Sequence, residues 1–208
     1  MKHIIRKAYW NYEKEENWIN EMSTKGLALT DYSWCRYVFE ETSNDEYTYR
    51  IELLGNRPTH PESLQYIKFL EENGVECVAT YMRWIYLRKK SNEGEFDIYS
   101  DIESKIKHYK KISTFWITLI WLGFLAGFMN VFIGLFNYST NENAVSHNMS
   151  YVNVILGCIV FGISIIMFRK LHLPIRKKIK EFEQEKVIRE WFYKEEGKGV
   201  LGYILTLL

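Results

Sequence analysis

The sequence predicts an α+β chain: a duplicated β-α-β-β antiparallel sheet domain, then a two-helix transmembrane hairpin and a C-terminal amphipathic helix. Three observations carry this reading. Residues 112–136 read ISTFWITLIWLGFLAGFMNVFIGLF without an Asp, Glu, Lys, Arg or His, and residues 151–168 form a second apolar run, YVNVILGCIVFGISIIMF. In the first hundred residues a strand, helix, glycine and two-strand order occurs twice. The charge also divides: residues 1–100 hold 13 Lys+Arg against 17 Asp+Glu, and residues 101–208 hold 14 against 9. The mean hydropathy of −0.25 averages these unlike halves and describes neither.

The expected boundaries follow. Residues 1–100 form a cytoplasmic α+β domain and 101–111 a helical linker. Residues 112–136 and 151–168 are transmembrane helices around an extracytoplasmic loop, 137–150. Residues 169–208 are a basic cytoplasmic tail.

In the first repeat, Ile4 to Tyr9 is β-prone. Asn11 is placed to cap a helix whose first turns hold Glu13, Glu15 and Glu16, where the helix dipole favours acids. Trp18, Ile19 and Met22 make an apolar stripe, and Gly26 ends the helix as a left-handed cap. Strands are expected at Leu27–Tyr32 and Cys35–Glu41. The second repeat opens on Glu46–Leu54, with Tyr47, Tyr49, Ile51 and Leu53 alternating onto one face. Thr59-His60-Pro61-Glu62 reads as a capping box with proline in the first turn. Leu64, Ile67 and Leu70 form the stripe, Gly74 ends it, and Val75–Tyr81 and Arg83–Lys89 are strands.

Overlaying the halves pairs Trp18-Ile19 with Tyr66-Ile67, Gly26 with Gly74 and Arg6 with Arg50. With a one-residue shift it pairs Arg36-Tyr37-Val38-Phe39 with Arg83-Trp84-Ile85-Tyr86. This predicts a six-stranded antiparallel sheet with two helices on one face. The element order resembles the GyrI-like duplicated βαββ domains, which implies binding of small amphipathic molecules between the halves. Both faces of the hairpin strands are apolar, where a sheet covered on one side should alternate with polar residues. The aliphatic residues Val38, Ile85 and Leu87 suit the helix-covered face. The aromatic set, Tyr37, Phe39, Trp84 and Tyr86, would then lie uncovered, as a ligand groove or a packing surface. Expected ligand or partner contacts are Arg36, Tyr37, Phe39, Tyr49, Glu52, Arg83, Trp84 and Tyr86, with Glu52 facing a cationic ligand.

Twenty-five helical residues rise ~37 Å at ~1.5 Å each, against a hydrocarbon core of ~30 Å. Lys105, Lys107, Lys110 and Lys111 precede the first run. Arg169, Lys170, Arg176, Lys177, Lys178 and Lys180 follow the second, and the loop between has neither lysine nor arginine. The positive-inside rule therefore places both termini in the cytoplasm. Gly123 and Gly127, and Gly157 and Gly162, offer small-residue faces for close helix packing within the hairpin or between copies. Asn130 and Asn153 are the polar side chains placed to join the helices. In the tail, Ile175, Ile179 and Phe182 mark an amphipathic helix, and Val200–Leu208 is an apolar end that would tuck against the domain.

Cys35, Cys77 and Cys158 show no metal spacing, and the five histidines are scattered, so no metal or other cofactor is expected. The N-terminus has no secretory-signal core. There is no GxSxG, Walker A or GxGxxG motif, and no paired acid and base, so an enzyme is the least supported class. The spans lack ionisable residues, which disfavours an ion pathway. The acidic first hundred residues argue against nucleic acid.

The segments KHIIRKAYWNYEKEENWINEM, YRIELL at Tyr49–Leu54, HPES at His60–Ser63, and YMRWIYLRKK at Tyr81–Lys90 followed by SDIESKI resemble the DUF2812 family of bacterial membrane proteins. The resemblance covers about residues 1–110. It implies a Gram-positive bacterial source, the bacterial cell membrane as location, and no catalytic residues to carry over. It also implies a PadR-like regulator as neighbour, hence a sensing or regulatory role. The expected partners are thus the lipid bilayer, such a regulator or another membrane protein, or a second copy in a homodimer. The expected function is a membrane-tethered sensor; the alternative is a non-catalytic subunit of a complex such as a transporter.

Overall fold

A computed structural model describes residues 1–99, 101–140 and 144–207. The chain divides into two compact units, 1–100 and 101–208. The first runs β1 (Lys2–Arg6), α1 (Tyr12–Thr24), β2 (Leu27–Ser33), β3 (Arg36–Glu41), β4 (Tyr47–Leu53), α2 (Pro61–Glu72), β5 (Glu76–Tyr81) and β6 (Trp84–Lys90). The predicted six-stranded sheet is instead two antiparallel three-stranded sheets, β1-β3-β2 and β4-β6-β5. The reason lies at the edges where they would join. At the β2 bulge, Leu29 N–H donates to the Tyr49 hydroxyl (2.9 Å), and the Leu29 carbonyl lies 3.5 Å from the Arg88 guanidinium. Side chains of the second repeat, rather than a strand, complete this edge.

The outer edge of β4 is completed in the same way by α1. Asn20 donates to the Tyr49 carbonyl (3.0 Å) and accepts from the Tyr49 N–H (2.8 Å). Glu16 accepts from Ile51 N–H (2.8 Å), and Ser23 donates to the Tyr47 carbonyl (2.6 Å). An open edge is a template for unwanted strand pairing, and here a helix occupies it. Arg50 ties the arrangement together, donating to Glu16 (3.1 Å) and to the Phe96 carbonyl (3.0 Å).

From the helix onward the repeat is regular at 48 residues. Gly26 and Gly74 both take left-handed φ at the helix ends, and Trp34 and Met82 both do so at the hairpin turns. Leu29 opposite Phe39 answers to Cys77 opposite Leu87, and each bulge follows. Within the hairpin strands no one-residue shift exists; only the first strands, β1 and β4, are offset by 47. Tyr37 and Phe39 therefore correspond to Ile85 and Leu87, and these are the residues that each helix covers in its own sheet. Arg6, opposite Arg36, answers to Leu53, opposite Trp84, and not to Arg50.

This overturns the expected uncovered aromatic face. Tyr37, Phe39, Tyr49 and Tyr86 are buried in one cluster with Ile19, Met22, Leu29, Ile51 and Ala79. A second cluster, Leu54, Leu70, Val75, Ile85, Leu87 and Phe96, lies under α2. The β4-β6-β5 sheet is thus covered on both faces, which is why its strands are apolar on both. Asn11 caps α1, accepting from Glu13 and Lys14 N–H. At α2 the capping residue is His60, not Thr59, with Pro61 in the first turn.

The second unit holds α3 (Ile102–Thr140), α4 (Ala144–Met167), a π-helical turn (Phe168–His172) and α5 (Leu173–Leu207). Helices α3 and α4 form a hairpin, and the structure has two helices long and apolar enough to cross a membrane. The expected loop 137–150 is largely helical, α3 running to Thr140 and α4 starting at Ala144, with the Ser139 and Thr140 hydroxyls on the Leu135 and Phe136 carbonyls one turn back. Residues 141–143 of that loop lie outside the described residues, as do the side chains of the apolar end, 200–208.

Close packing explains the glycines. A Cβ on Gly127 would meet the Gly157 carbonyl at 3.2 Å, and one on Gly157 would meet the Gly127 carbonyl at 2.8 Å. Gly134 likewise abuts the Ser150 carbonyl, while Gly162 faces open space and takes no part. Asn130 does not bridge the helices; it donates to the Ala126 carbonyl of its own helix. The π turn precedes Pro174, whose ring would clash with the carbonyl four residues back in a regular helix. It also places the His172 Nδ1 3.3 Å from the Ser113 hydroxyl. Beyond it α5 runs antiparallel to the start of α3, through Lys110–Glu183 (2.7 Å), Glu103–Lys186 (3.3 Å) and the stacked Tyr109 and Phe182 rings.

Candidate functional site: a buried carboxylate among tyrosines

Glu15 sits in the first turns of α1, on the same stripe as Ile19 and Met22. Its position follows from helical spacing: residues 15, 19 and 22 share one face. That face is turned into the aromatic cluster, so the carboxylate is buried. Two phenols converge on one of its oxygens. Tyr37 from β3 and Tyr86 from β6 each donate to Oε1 at 2.7 Å. Tyr32 packs against both, its ring centroid 4.7 Å from Tyr37 and 4.6 Å from Tyr86. Trp18 stands edge-on to Tyr37 and Phe39 from the α1 side.

The electrostatics follow from this enclosure. Burial pushes the Glu15 carboxyl above its ordinary range, against the two tyrosine hydrogen bonds, which pull it down. The Tyr37 and Tyr86 phenols are raised by burial first and by the Glu15 charge second. Among the described residues no lysine or arginine forms an ion pair with Glu15. A buried charge without a counter-ion is costly, and rings around it present faces that attract cations. The arrangement suits a positively charged group with an apolar body.

The expected site residues separate into several places. Tyr37, Phe39, Tyr49 and Tyr86 are brought together around this centre, buried rather than open. Burial raises the Tyr49 hydroxyl to about 12. Trp84, partly exposed, stacks on Tyr12 at 5.5 Å. Glu52 lies on the opposite face of its sheet, buried, accepting from the Tyr66 hydroxyl at 2.8 Å; Tyr99 is raised by burial and then by Glu52. Arg36 stands on the exposed face of the first sheet, 3.7 Å from Asp31. Arg83 is structural, with Nε and Nη2 both donating to the Leu54 carbonyl at 3.0 and 2.7 Å.

Sequence reasoning missed Glu15 and Tyr32. Glu15 was explained by the helix dipole, yet its place on the Ile19–Met22 stripe was the signal that could have found it. No triad or larger group of His, Cys, Asp and Glu placed to hold a metal ion occurs among the described residues.

A family model described as "Protein of unknown function (DUF2812)" matches residues 11–121. The match spans the whole of α1 to β6 and reaches ten residues into the first apolar run. No curated protein and no solved structure matches the chain.

Proposed function

The chain belongs to the DUF2812 family, and from that premise we propose that it is a non-catalytic, membrane-anchored sensor whose N-terminal unit recognises a small amphipathic cation. The observation that carries this reading is the Glu15 carboxylate, buried, without a counter-ion among the described residues, and held by Tyr37 and Tyr86. A cation arriving at Oε1 meets the buried carboxylate and the rings of Tyr32, Tyr37 and Tyr86. Each such ring contact is worth about 0.5–2 kcal/mol. Tyr32, Tyr81 and Trp84 are only partly buried and give the approach. In element order this unit resembles the GyrI-like domains, although its aromatic face is filled by α1.

The anchor is the α3–α4 hairpin, supported by the length and composition of the two helices. The Lys and Arg residues flanking it put both ends in the bacterial cytoplasm. The test is a tetraphenylphosphonium titration of the full chain, read by tryptophan fluorescence. Saturable quenching that Glu15→Gln weakens at least about tenfold supports the reading. A Glu15→Gln response equal to that of the parent, or no saturable response, discards it.

A second reading, a non-catalytic subunit docked on a PadR-like regulator or a membrane protein such as a transporter, is favoured by α5. Past Lys186, its last described partner on α3 being Glu103, the helix exposes Val187, Ile188, Trp191 and Phe192 on adjacent turns. Co-purification in mild detergent decides it: a monomer with no companion rejects this alternative.

A further inference from the structure

One end of the N-terminal unit carries large apolar side chains that the unit itself leaves uncovered. The β2–β3 turn places Trp34 and Cys35 at φ +38° and +60°, and the β5–β6 turn places Met82 at φ +55°. Such positions normally go to Gly, Asn or Asp, because a side chain with a Cβ there costs about 1–2 kcal/mol. Trp34 and Met82 nonetheless remain 77% and 69% exposed. They occupy the same position of the repeat, and the Trp34 ring lies 6.3 Å from that of Tyr81, so the two tips form one patch. Trp10, 65% exposed, follows β1 at the same end, where Lys7 N–H bonds the Cys35 carbonyl.

Several arginines stand around this patch, with Glu62 beside Asn56 in the loop that holds Arg57. Arg6 ends β1 opposite Arg36. Arg57 lies in the loop that leaves β4 beside the Arg83 turn. Among the described residues neither Arg6 nor Arg57 forms an ion pair, and Asp31 is taken by Arg36. At the far end of the strands Lys2–Glu40, Lys25–Glu21 and Arg88–Glu76 are paired, while Lys89 and Lys90 close β6 there. Tryptophan and tyrosine at a surface ringed by arginine match the boundary between lipid headgroups and hydrocarbon.

We infer that the two hairpin tips, Trp34 and Met82, dock the N-terminal unit onto the surface of an anionic lipid bilayer. This rests on the reading that the α3–α4 hairpin spans that bilayer, which supplies the surface at high local concentration. Partial insertion of Trp34 and Met82 removes apolar area from water. Arg6 and Arg57 meet lipid phosphates, each adding an electrostatic attraction that salt screens.

The test uses the full chain in lipid nanodiscs with one spin label. In a Cys35→Ser, Cys77→Ala, Cys158→Ser background, Met82→Cys carries the label; a sister protein keeps Cys158, exposed on α4, as its sole cysteine. The expected result is a Cys158 label reached by oxygen but not by a water-soluble nickel chelate in every disc. The Met82→Cys label is shielded from nickel in phosphatidylglycerol discs and open in phosphatidylcholine discs. Arg6→Gln with Arg57→Gln lowers the docked-to-free ratio about 30-fold, from about 1 kcal/mol per basic residue near an anionic surface. A Met82→Cys label equally open in both discs, with Cys158 in lipid, overturns the docking alone. A label already shielded in detergent assigns the patch to protein contact and also overturns it. A Cys158 label open to nickel overturns the anchor, and the docking with it.

Discussion

Replacing Glu15 by Gln should make the protein more stable at neutral pH while removing its response to cations. The perturbation is close to isosteric, and the Gln carbonyl still accepts from Tyr37 and Tyr86. Hydrogen bonds to a charged acceptor are worth about 1.5–3 kcal/mol and to a neutral one about 0.5–1.5. Two bonds at 2.7 Å therefore lose about 2–3 kcal/mol together. Against this, burying the charge costs several kcal/mol. The raised carboxyl range says that burial outweighs the two bonds, so the balance favours Gln. The sign with pH follows. A carboxyl raised in the folded state binds more protons there than in the unfolded chain. Stability is thus full below the ordinary value of 4.5 and falls as pH rises through the raised value. Glu15→Gln should flatten that fall. Urea unfolding read by the fluorescence of Trp18, which touches Tyr37 and Phe39, measures both. A Gln variant less stable than the parent at pH 7, or a parent whose stability does not decline between pH 4.5 and 7, refutes the reasoning.

Phe39→Ala, at a fully buried position, should cost about 3–5 kcal/mol, seen as a lower urea midpoint with the α3–α4 helix signal retained in circular dichroism. Asn20→Ala strips both partners from Tyr49 on the β4 edge and should cost about 2 kcal/mol; faster amide exchange at Tyr49 and Ile51 is the readout. Gly157→Val, which would press on the Gly127 carbonyl and Val131, should loosen the hairpin by about 1–3 kcal/mol, measured as weaker resistance to SDS unfolding. Gly162→Ala faces open space and should be neutral or gain up to about 1 kcal/mol from helix propensity.

Much of the first unit was legible because local signals agree. The asparagine cap, the two terminal glycines and the alternating β4 strand each name an element without help from the rest of the chain. What was lost is long-range. Residue type drew Arg36-Tyr37 onto Arg83-Trp84, whereas turn geometry sets Trp34 against Met82, and this slip moved the aromatic set to the wrong face. The uncovered face could not be judged from one repeat, since α1 of the first repeat is what fills it. Glu15 was hidden by a sufficient local explanation, its place near a positive helix end. In the second unit the apolar runs were plain, but the helical continuation into Thr140 was not. Helical backbone bonds do not depend on apolar side chains, so hydropathy marks an end that the backbone does not obey. The Pro174 signal for the π turn was present in the sequence and went unread.

The side chains that finish β4 come from the other repeat, and so do those that finish β2. Neither copy of the motif is self-sufficient as a result. Severed between β3 and β4, the second half would carry a bare strand flank ready to recruit neighbours, and the first would lose the Tyr49 and Arg88 groups that seal its bulge. The duplication has become an interdependence: each repeat lends the other the side chains that close its strand edge.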